Sequence, residues 1–200
     1  MARRKDHSAE EFEALVVDAT GALVDELGTT RVSARQIAER IGYTPGALYT
    51  HFANLDEIFR LVNARGLAEL RGHVLDAIAG ADDARDAIRA MGLAYLDFAR
   101  RRPHRYELMF TPRLAADVPP PALQREIDAL FALLAAQLSR VAEVDPRTLE
   151  LGGRALWSGV HGIASLERSA QFYTRAPAPE TDIAVLLIDQ FLAGWPPEQG

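Results

Sequence analysis

The chain has 200 residues, 48% of them hydrophobic, with no cysteine and a formal net charge of −6. This is ordinary globular composition, with room for one domain or two small ones, and it excludes disulfides, thiol redox sensing and cysteine-ligated zinc. Met1 to Asp6 are charged and no apolar run follows, so no secretory signal is read. The densest apolar stretch, Phe131 to Leu138, is far too short to span a bilayer. A soluble, cytoplasmic protein is expected.

Taken in chain order, helical periodicity with cap signals recurs and alternating strand patterns are scarce. Ser8 and Glu11 form an S-x-x-E capping box. Phe12, Leu15, Val16, Ala19 and Leu23 then recur at helical spacing until Gly28. Ser33 and Gln36 open a second, short helix with Ile37, Ala38 and Ile41 on its inner side, closed by Gly42. Thr44 and Pro45 read as N-cap and first helical residue of a third, which ends near Thr50. A fourth helix opens over Asn54 to Glu57 and runs towards Ala79. After a break at Gly80 to Asp83, a fifth carries Ile88, Met91, Tyr95 and Phe98 and ends before Pro103. Pro103 to Phe110 is a short helix, and proline-rich Thr111 to Pro121 a loop. Leu123 to Val141 is helical, as is a long segment from Asp145-Pro146 to about Phe172. Arg175 to Glu180 reads as a loop and Thr181 to Ala193 as the last helix. The expectation is an all-α fold of about nine helices.

The most specific signal is R-V-S-A-R-Q-I-A-E-R-I-G-Y-T-P-G-A-L-Y-T-H-F at residues 31–52. Two short helices meet at a tight turn. Ala38 lets them cross closely, and Gly42 sits where a side chain would clash or need positive φ. Ile37, Ile41, Leu48 and Phe52 supply a locking core. Helices this short need neighbours, and a helix-turn-helix provides them. The second helix of such a motif enters the major groove. Its outward positions are Thr44, Pro45, Gly46, Tyr49 and Thr50, with His51 beside them. Threonine hydroxyls can bond bases or phosphates, and a tyrosine hydroxyl reaches phosphate. Arg31, Ser33, Arg35 and Tyr43 complete the candidate DNA-binding set.

The acidic total runs against nucleic-acid binding, but the charge is uneven. Arg3, Arg4 and Lys5 form a basic arm, Lys5 being the only lysine. Arg31, Arg35 and Arg40 lie in a stretch where Glu39 is the only acid before Asn54.

Ile37-Ala38, Gly42, Gly46-Ala47-Leu48-Tyr49, His51-Phe52 and the helix start at Leu55 to Ile58 together resemble the N-terminal domain of the tetracycline-repressor-like (TetR) family, over roughly residues 8–60. One departure is Leu55, at a place where many members carry lysine next to the DNA backbone. Ala155-Leu156-Trp157-Ser158-Gly159-Val160-His161-Gly162 resembles the Trp-His-Gly signature of one C-terminal subgroup. The resemblance implies a helix-turn-helix domain over residues 1–53 and a helical effector-binding and dimerisation domain over 54–200. It also implies a double-stranded operator, a small-molecule effector and a homodimer, with habit favouring repression relieved by ligand.

Gly152, Gly153, Gly159 and Gly162 are unusual inside a helix, and such glycines usually allow close approach of a helix or ligand. Trp157 and His161 share a helical face. With Tyr95, Phe98, Tyr106, Met109, Phe110 and Phe131 they are candidates to line an apolar cavity. His161 is the candidate polar anchor, with Tyr106 and Ser158 as alternates. The plainer alternative for each is a packed core. No charged group falls within this set, so a largely apolar effector is expected. The dimer face is expected from Leu156, Val160, Ile163 and Ala164 with Leu187, Gln190 and Phe191, as a four-helix bundle.

The five histidines show no metal-ligand spacing, and no phosphate loop, nucleophile elbow or cofactor motif is present. The reading is a DNA-binding regulator, not an enzyme. The alternative is a helical interaction or small-molecule-binding protein without DNA binding.

Overall fold

The computed structural model describes residues 7–111, 114, 120–168 and 179–196. Among them lie nine α-helices and no strand. These are α1 (Ala9–Leu27), α2 (Ala34–Ile41), α3 (Pro45–Leu48), α4 (Leu55–Ile78), α5 (Ala84–Arg101), α6 (Pro103–Met109), α7 (Pro121–Val141), α8 (Pro146–Arg168) and α9 (Glu180–Ala193). The basic arm, most of the proline-rich loop and residues 169–178 fall outside the described residues.

The local devices that start and stop these helices are those written in the sequence. Ser8 and Ser33 each accept from the backbone three residues on, while Glu11 and Gln36 reach back to the cap N–H, so both capping boxes close. Thr44 accepts from the Ala47 N–H and Pro45 occupies the first helical position. Gly42 has φ 77°, ψ 32°, and an added Cβ there would meet nothing within 4 Å. Its role is therefore the left-handed conformation, not close approach. The third helix ends at Leu48, two residues earlier than its pattern suggests. The Thr50 hydroxyl takes the Ala47 carbonyl at 2.6 Å, and the Leu48 carbonyl receives His51 N–H and Phe52 N–H in a turn.

The chain forms two compact units, one from the described residues of Met1–Leu67 and Arg102–Gln124, the other from those of Ala68–Arg101 and Arg125–Gly200. The first unit closes around Phe12, Val16, Val24, Ile37, Ala38, Leu48, Phe52, Ile58, Phe59 and Val62. Leu108 of α6 and Leu114 belong to the same cluster. Leu55, where the family often carries lysine, packs against this core. The second unit is a helical bundle in which α9 packs on α5 and α8. Its core includes Ile88, Leu96, Phe98, Leu138, Leu156, Val160, Ile188, Leu192 and Trp195. Ion pairs Arg71–Glu126, Arg89–Asp189 and Arg100–Glu167 tie its helices at the rim.

The glycines of α8 divide. Trp195, whose indole N–H donates to the Leu138 carbonyl at 3.3 Å, brings its six-membered ring into the space that a Cβ on Gly152 would need. Leu187 lies on Gly159, where a Cβ would come within 2.9 Å of it. Gly153 makes only ordinary contact, and Gly162 has open space. Close approach accounts for two of the four.

Gly152→Ala is expected to lower stability by about 1–3 kcal/mol, because overpacking against Trp195 outweighs the gain in helix propensity. Gly72→Ala, in α4 with nothing within 4 Å, is expected to raise it by up to about 1 kcal/mol. Urea unfolding of both variants checks the contrast.

Candidate functional site

The α2–turn–α3 segment presents a compact polar face. Ile37, Ala38 and Leu48 are wholly buried beneath it. Thr44, Pro45, Gly46, Thr50 and His51 are exposed, and Tyr49 leaves about half of its surface to solvent. An aromatic ring so uncovered at the end of a helix has no packing reason to be there. Tyr43 is different, being half-buried with its ring edge-on to Phe12 at 5.0 Å.

The hydroxyls are partly spoken for. Thr44 accepts the Ala47 N–H at 3.3 Å, which leaves its own proton free to donate. Thr50 donates its proton to the Ala47 carbonyl and lies 2.8 Å from His51 Nδ1. Thr44 is thus a donor suited to phosphate or a base acceptor, and Thr50 is not. The arginines are held as well. Arg31 Nε donates to the Leu27 carbonyl at 2.6 Å, Arg35 Nε pairs with Glu39 at 2.7 Å, and Arg40 binds Glu26 through two bonds of 2.7 Å. The bond from Arg40 pulls the Glu26 carboxyl below the usual glutamate value. Arg31 and Arg35 remain exposed beside the face, and Ser33 is exposed while its side chain serves the helix cap.

The predicted effector residues do not form a single group. Tyr95, Phe131, Trp157 and His161 come together in the second unit. Tyr95 Oη lies 2.9 Å from His161 Nδ1. The Trp157 ring stacks on the His161 ring at 5.2 Å, and Phe131 stands edge-on to Trp157 at 5.8 Å. Arg154 covers the outer face of Phe131 at 5.1 Å, a cation–π contact. The other imidazole nitrogen faces Ser165 Oγ at 3.3 Å. Burial pushes the His161 pKa below its ordinary 6.5, so the ring is held neutral between two hydroxyls.

The remaining residues lie elsewhere. Phe98 is fully buried in the core. Ser158 is exposed and donates to the Arg154 carbonyl at 2.8 Å, so it does not share the His161 cluster. Tyr106, Met109 and Phe110 belong to the first unit, Tyr106 buried and Phe110 exposed with rings 5.1 Å apart. An open groove of about 490 Å³ between α4 and α5, edged by His73, Asp76, Asp97 and Arg101, contains none of the predicted lining. Ser165 was missed, although its place four residues after His161 was readable.

The residues of the expected dimer face divide, with Gln190 exposed and Leu187 and Phe191 half-buried. Leu156, Val160, Ile163 and Ala164 are buried within one chain. Leu187 covers Gly159 of the same chain, and Phe191 stacks on Trp195 at 5.4 Å. Helical periodicity identifies an apolar face but not whether its neighbour is the same chain or another. The residues these helices expose include Leu151, Ala155, Ser158 and Leu166 beside Glu150 and Arg154 on α8, and Leu186 and Gln190 with Asp182 on α9. Leu151 and Leu186 expose 58% and 62% of their surface, an unusual degree for leucine in a folded bundle.

Among the described residues no helix is long and apolar enough to cross a membrane, and no group of three or more His, Cys, Asp or Glu is placed to hold a metal.

Two family models match the sequence. Residues 16–62 match bacterial regulatory proteins of the tetR family, and residues 88–191 match the tetracyclin repressor-like C-terminal domain. A curated relative, an HTH-type transcriptional activator FasR from Mycolicibacterium smegmatis, is 30% identical over 126 residues, which span 60% of this chain and 57% of that protein. Among solved structures, a protein of unknown function from Rhodococcus sp. RHA1 superposes with TM-score 0.76 at 18% identity, covering 97% of this chain and 98% of that one. FadR from Bacillus subtilis, in complex with stearoyl-CoA, does so with TM-score 0.67 at 12% identity, covering 90% and 98%. At these identities the structures establish the fold alone.

His161 gives a pH prediction. Its folded pKa lies below the unfolded value of 6.5, so the unfolded chain binds the proton more readily. Stability is fully present above about pH 6.5 and falls as pH drops towards the folded pKa. Replacing His161 by Gln should flatten the slope of melting temperature against pH below about 6.5. An unchanged slope would assign the dependence to other groups.

Proposed function

This chain is a transcriptional regulator of the tetR family, and on that premise we propose that residues 1–53 read a double-stranded operator through α2 and α3, while residues 54–200 bind an effector and pair two copies. The carrying observation is the exposed set Thr44, Pro45, Gly46, Tyr49 and His51 in and flanking a four-residue helix whose underside, Leu48, is wholly buried. Such a helix is too short to persist for its own sake. Tyr49 is placed as a phosphate contact, and Thr44 as the donor that bears on sequence preference. Arg31 and Arg35 add charge at the rim, and the protein works in the cytoplasm, where its DNA is.

The effector is small and largely apolar, with its polar group at Tyr95 and His161 and its body against Trp157 and Phe131. The neutral imidazole favours a hydroxyl or carbonyl over a carboxylate. An acyl-bearing ligand is the first class to test, since a protein of the same fold holds stearoyl-CoA. Helix α4 is continuous from Leu55 to Ile78. A shift at its far end changes the separation of the two readers of a dimer and moves the population away from the DNA-competent spacing, a coupling of about 1–3 kcal/mol. Repression relieved by ligand is the first reading of the output. Activation is the second, favoured by the FasR relative. A reporter fused to the chain's own upstream region separates them by the sign of the change on deleting the regulator.

The paired copies meet through the outward stripe of Leu151, Ala155, Ser158 and Leu166 with Leu186 and Gln190. Leu186→Glu should convert a dimer to a monomer at micromolar concentration in light scattering, with helicity unchanged. A wild-type monomer at that concentration removes the dimer.

The DNA reading is tested with fluorescence anisotropy on a duplex from the region upstream of the gene. Tyr49→Ala should cost about 1.4 kcal/mol, roughly tenfold in affinity, on specific and random duplexes alike. Thr44→Ser should bind nearly as wild type, because it keeps both the cap and the donor, whereas Thr44→Ala should lose both. Affinity should fall steeply with salt. If Tyr49→Ala and Thr44→Ala both bind as wild type, α3 is not the reader.

A further inference from the structure

Helix α6 belongs to the first compact unit, although Ala68–Arg101 before it and the chain from Arg125 onward belong to the second. Its seating is polar and closely fitted. The Arg105 side chain keeps only 13% of its surface exposed. Its Nε donates to the Gly21 carbonyl at 3.3 Å and lies 3.0 Å from Asp25 Oδ1, and a terminal nitrogen donates to Asp25 Oδ2 at 3.1 Å. The guanidinium occupies the space that a Cβ on Gly21 would need. Met109 likewise lies close on Gly66, within 2.9 Å of where a Cβ would stand, and His104 makes ordinary contact at Gly28.

The stretch of α1 that Arg105 grips, Gly21 to Gly28, also holds α2. Glu26, next to Asp25, makes the two-bonded pair with Arg40 near the end of α2. Helix α2 packs on α1 and α3. A largely covered, forked guanidinium fixes distance and angle in a way that apolar contact does not. Left without its carboxylate, it becomes an uncompensated charge.

We propose that Arg105 is a positioning residue for the DNA reader, setting the C-terminal half of α1 through Gly21 and Asp25, with Glu26 and Arg40 passing that setting to α2. This rests on the reading of α2 and α3 as the DNA-contacting element. It adds a route through α1 to the one through α4.

The experiment is amide hydrogen exchange on the full-length chain, with affinity for the upstream duplex measured on the same preparations. Arg105→Met and Asp25→Asn should each speed exchange over residues 34–48 by about tenfold while residues 55–67 keep wild-type protection, a pattern that global destabilisation does not give. The double variant should add little to either. Arg105→Lys, which keeps the charge but not the fork, should fall between. Glu26→Gln should speed residues 34–48 and leave residues 103–109 protected. Duplex affinity should fall in the order of the exchange effects. If Arg105→Met does not fold, Asp25→Asn and Gly21→Ala decide the matter. Exchange that rises only over residues 21–28 and 103–109 overturns the proposal. So does faster exchange over 34–48 with unchanged duplex affinity. A wild-type chain that binds no upstream DNA marks failure of the DNA reading itself, seen without any variant, whereas failure of the α1 route is read in the variants.

Discussion

Helix α3 contains one turn, and one turn of helix in water is unstable. All that the reader can do depends on the contact that supplies what the turn lacks. That contact is Leu48, wholly buried among Ile37, Ala38, Val16 and Phe52. Thr44 caps the turn at its start, and the Leu48 carbonyl takes two N–H groups at its end. With the backbone satisfied at both ends and one leucine sunk into the core, the remaining residues are released from structural duty. Tyr49 and His51 can therefore face outward at little cost to folding.

The electrostatics of this surface are set by neutralisation more than by accumulation. Arg35 and Arg40 each answer an acid of the same unit, Glu39 and Glu26. The Arg35–Glu39 pair lies within one helix and is exposed, so it contributes little to stability, whereas Arg40–Glu26 joins α2 to α1.

What could be read from the sequence was what is encoded locally. Capping boxes at Ser8 and Ser33, the Thr44-Pro45 start and the left-handed Gly42 each depend on residues within one turn, and the structure has all of them. Long-range partners were not legible. The α8 stripe of Leu156, Val160 and Ile163 was apolar in either reading, and only the packing of α9 shows that it closes on its own chain. Trp157 and His161 were placed on one face by spacing, but Tyr95 lies 66 residues from His161 and could join them only through the fold. Ser158 misled because a hydroxyl one residue along a helix points about 100° away. Trp195 sits beyond the last helix, where periodicity says nothing, yet it covers Gly152. Thr29 and Asn63 each bury a side-chain oxygen without a partner among the described residues, which no local pattern signals.

The segment order of the first unit bears on how the protein is made. Its core includes Leu108 and Leu114, which leave the ribosome well after the helices they complete. At about 5–20 residues per second, α1 to α3 wait several seconds for the residues that cover them. During that interval the cluster that Leu108 and Leu114 share with Phe12, Val24 and Ile58 is incomplete. The unit that holds α1 to α3 is therefore closed only after residues 68–101 of the other unit have been made.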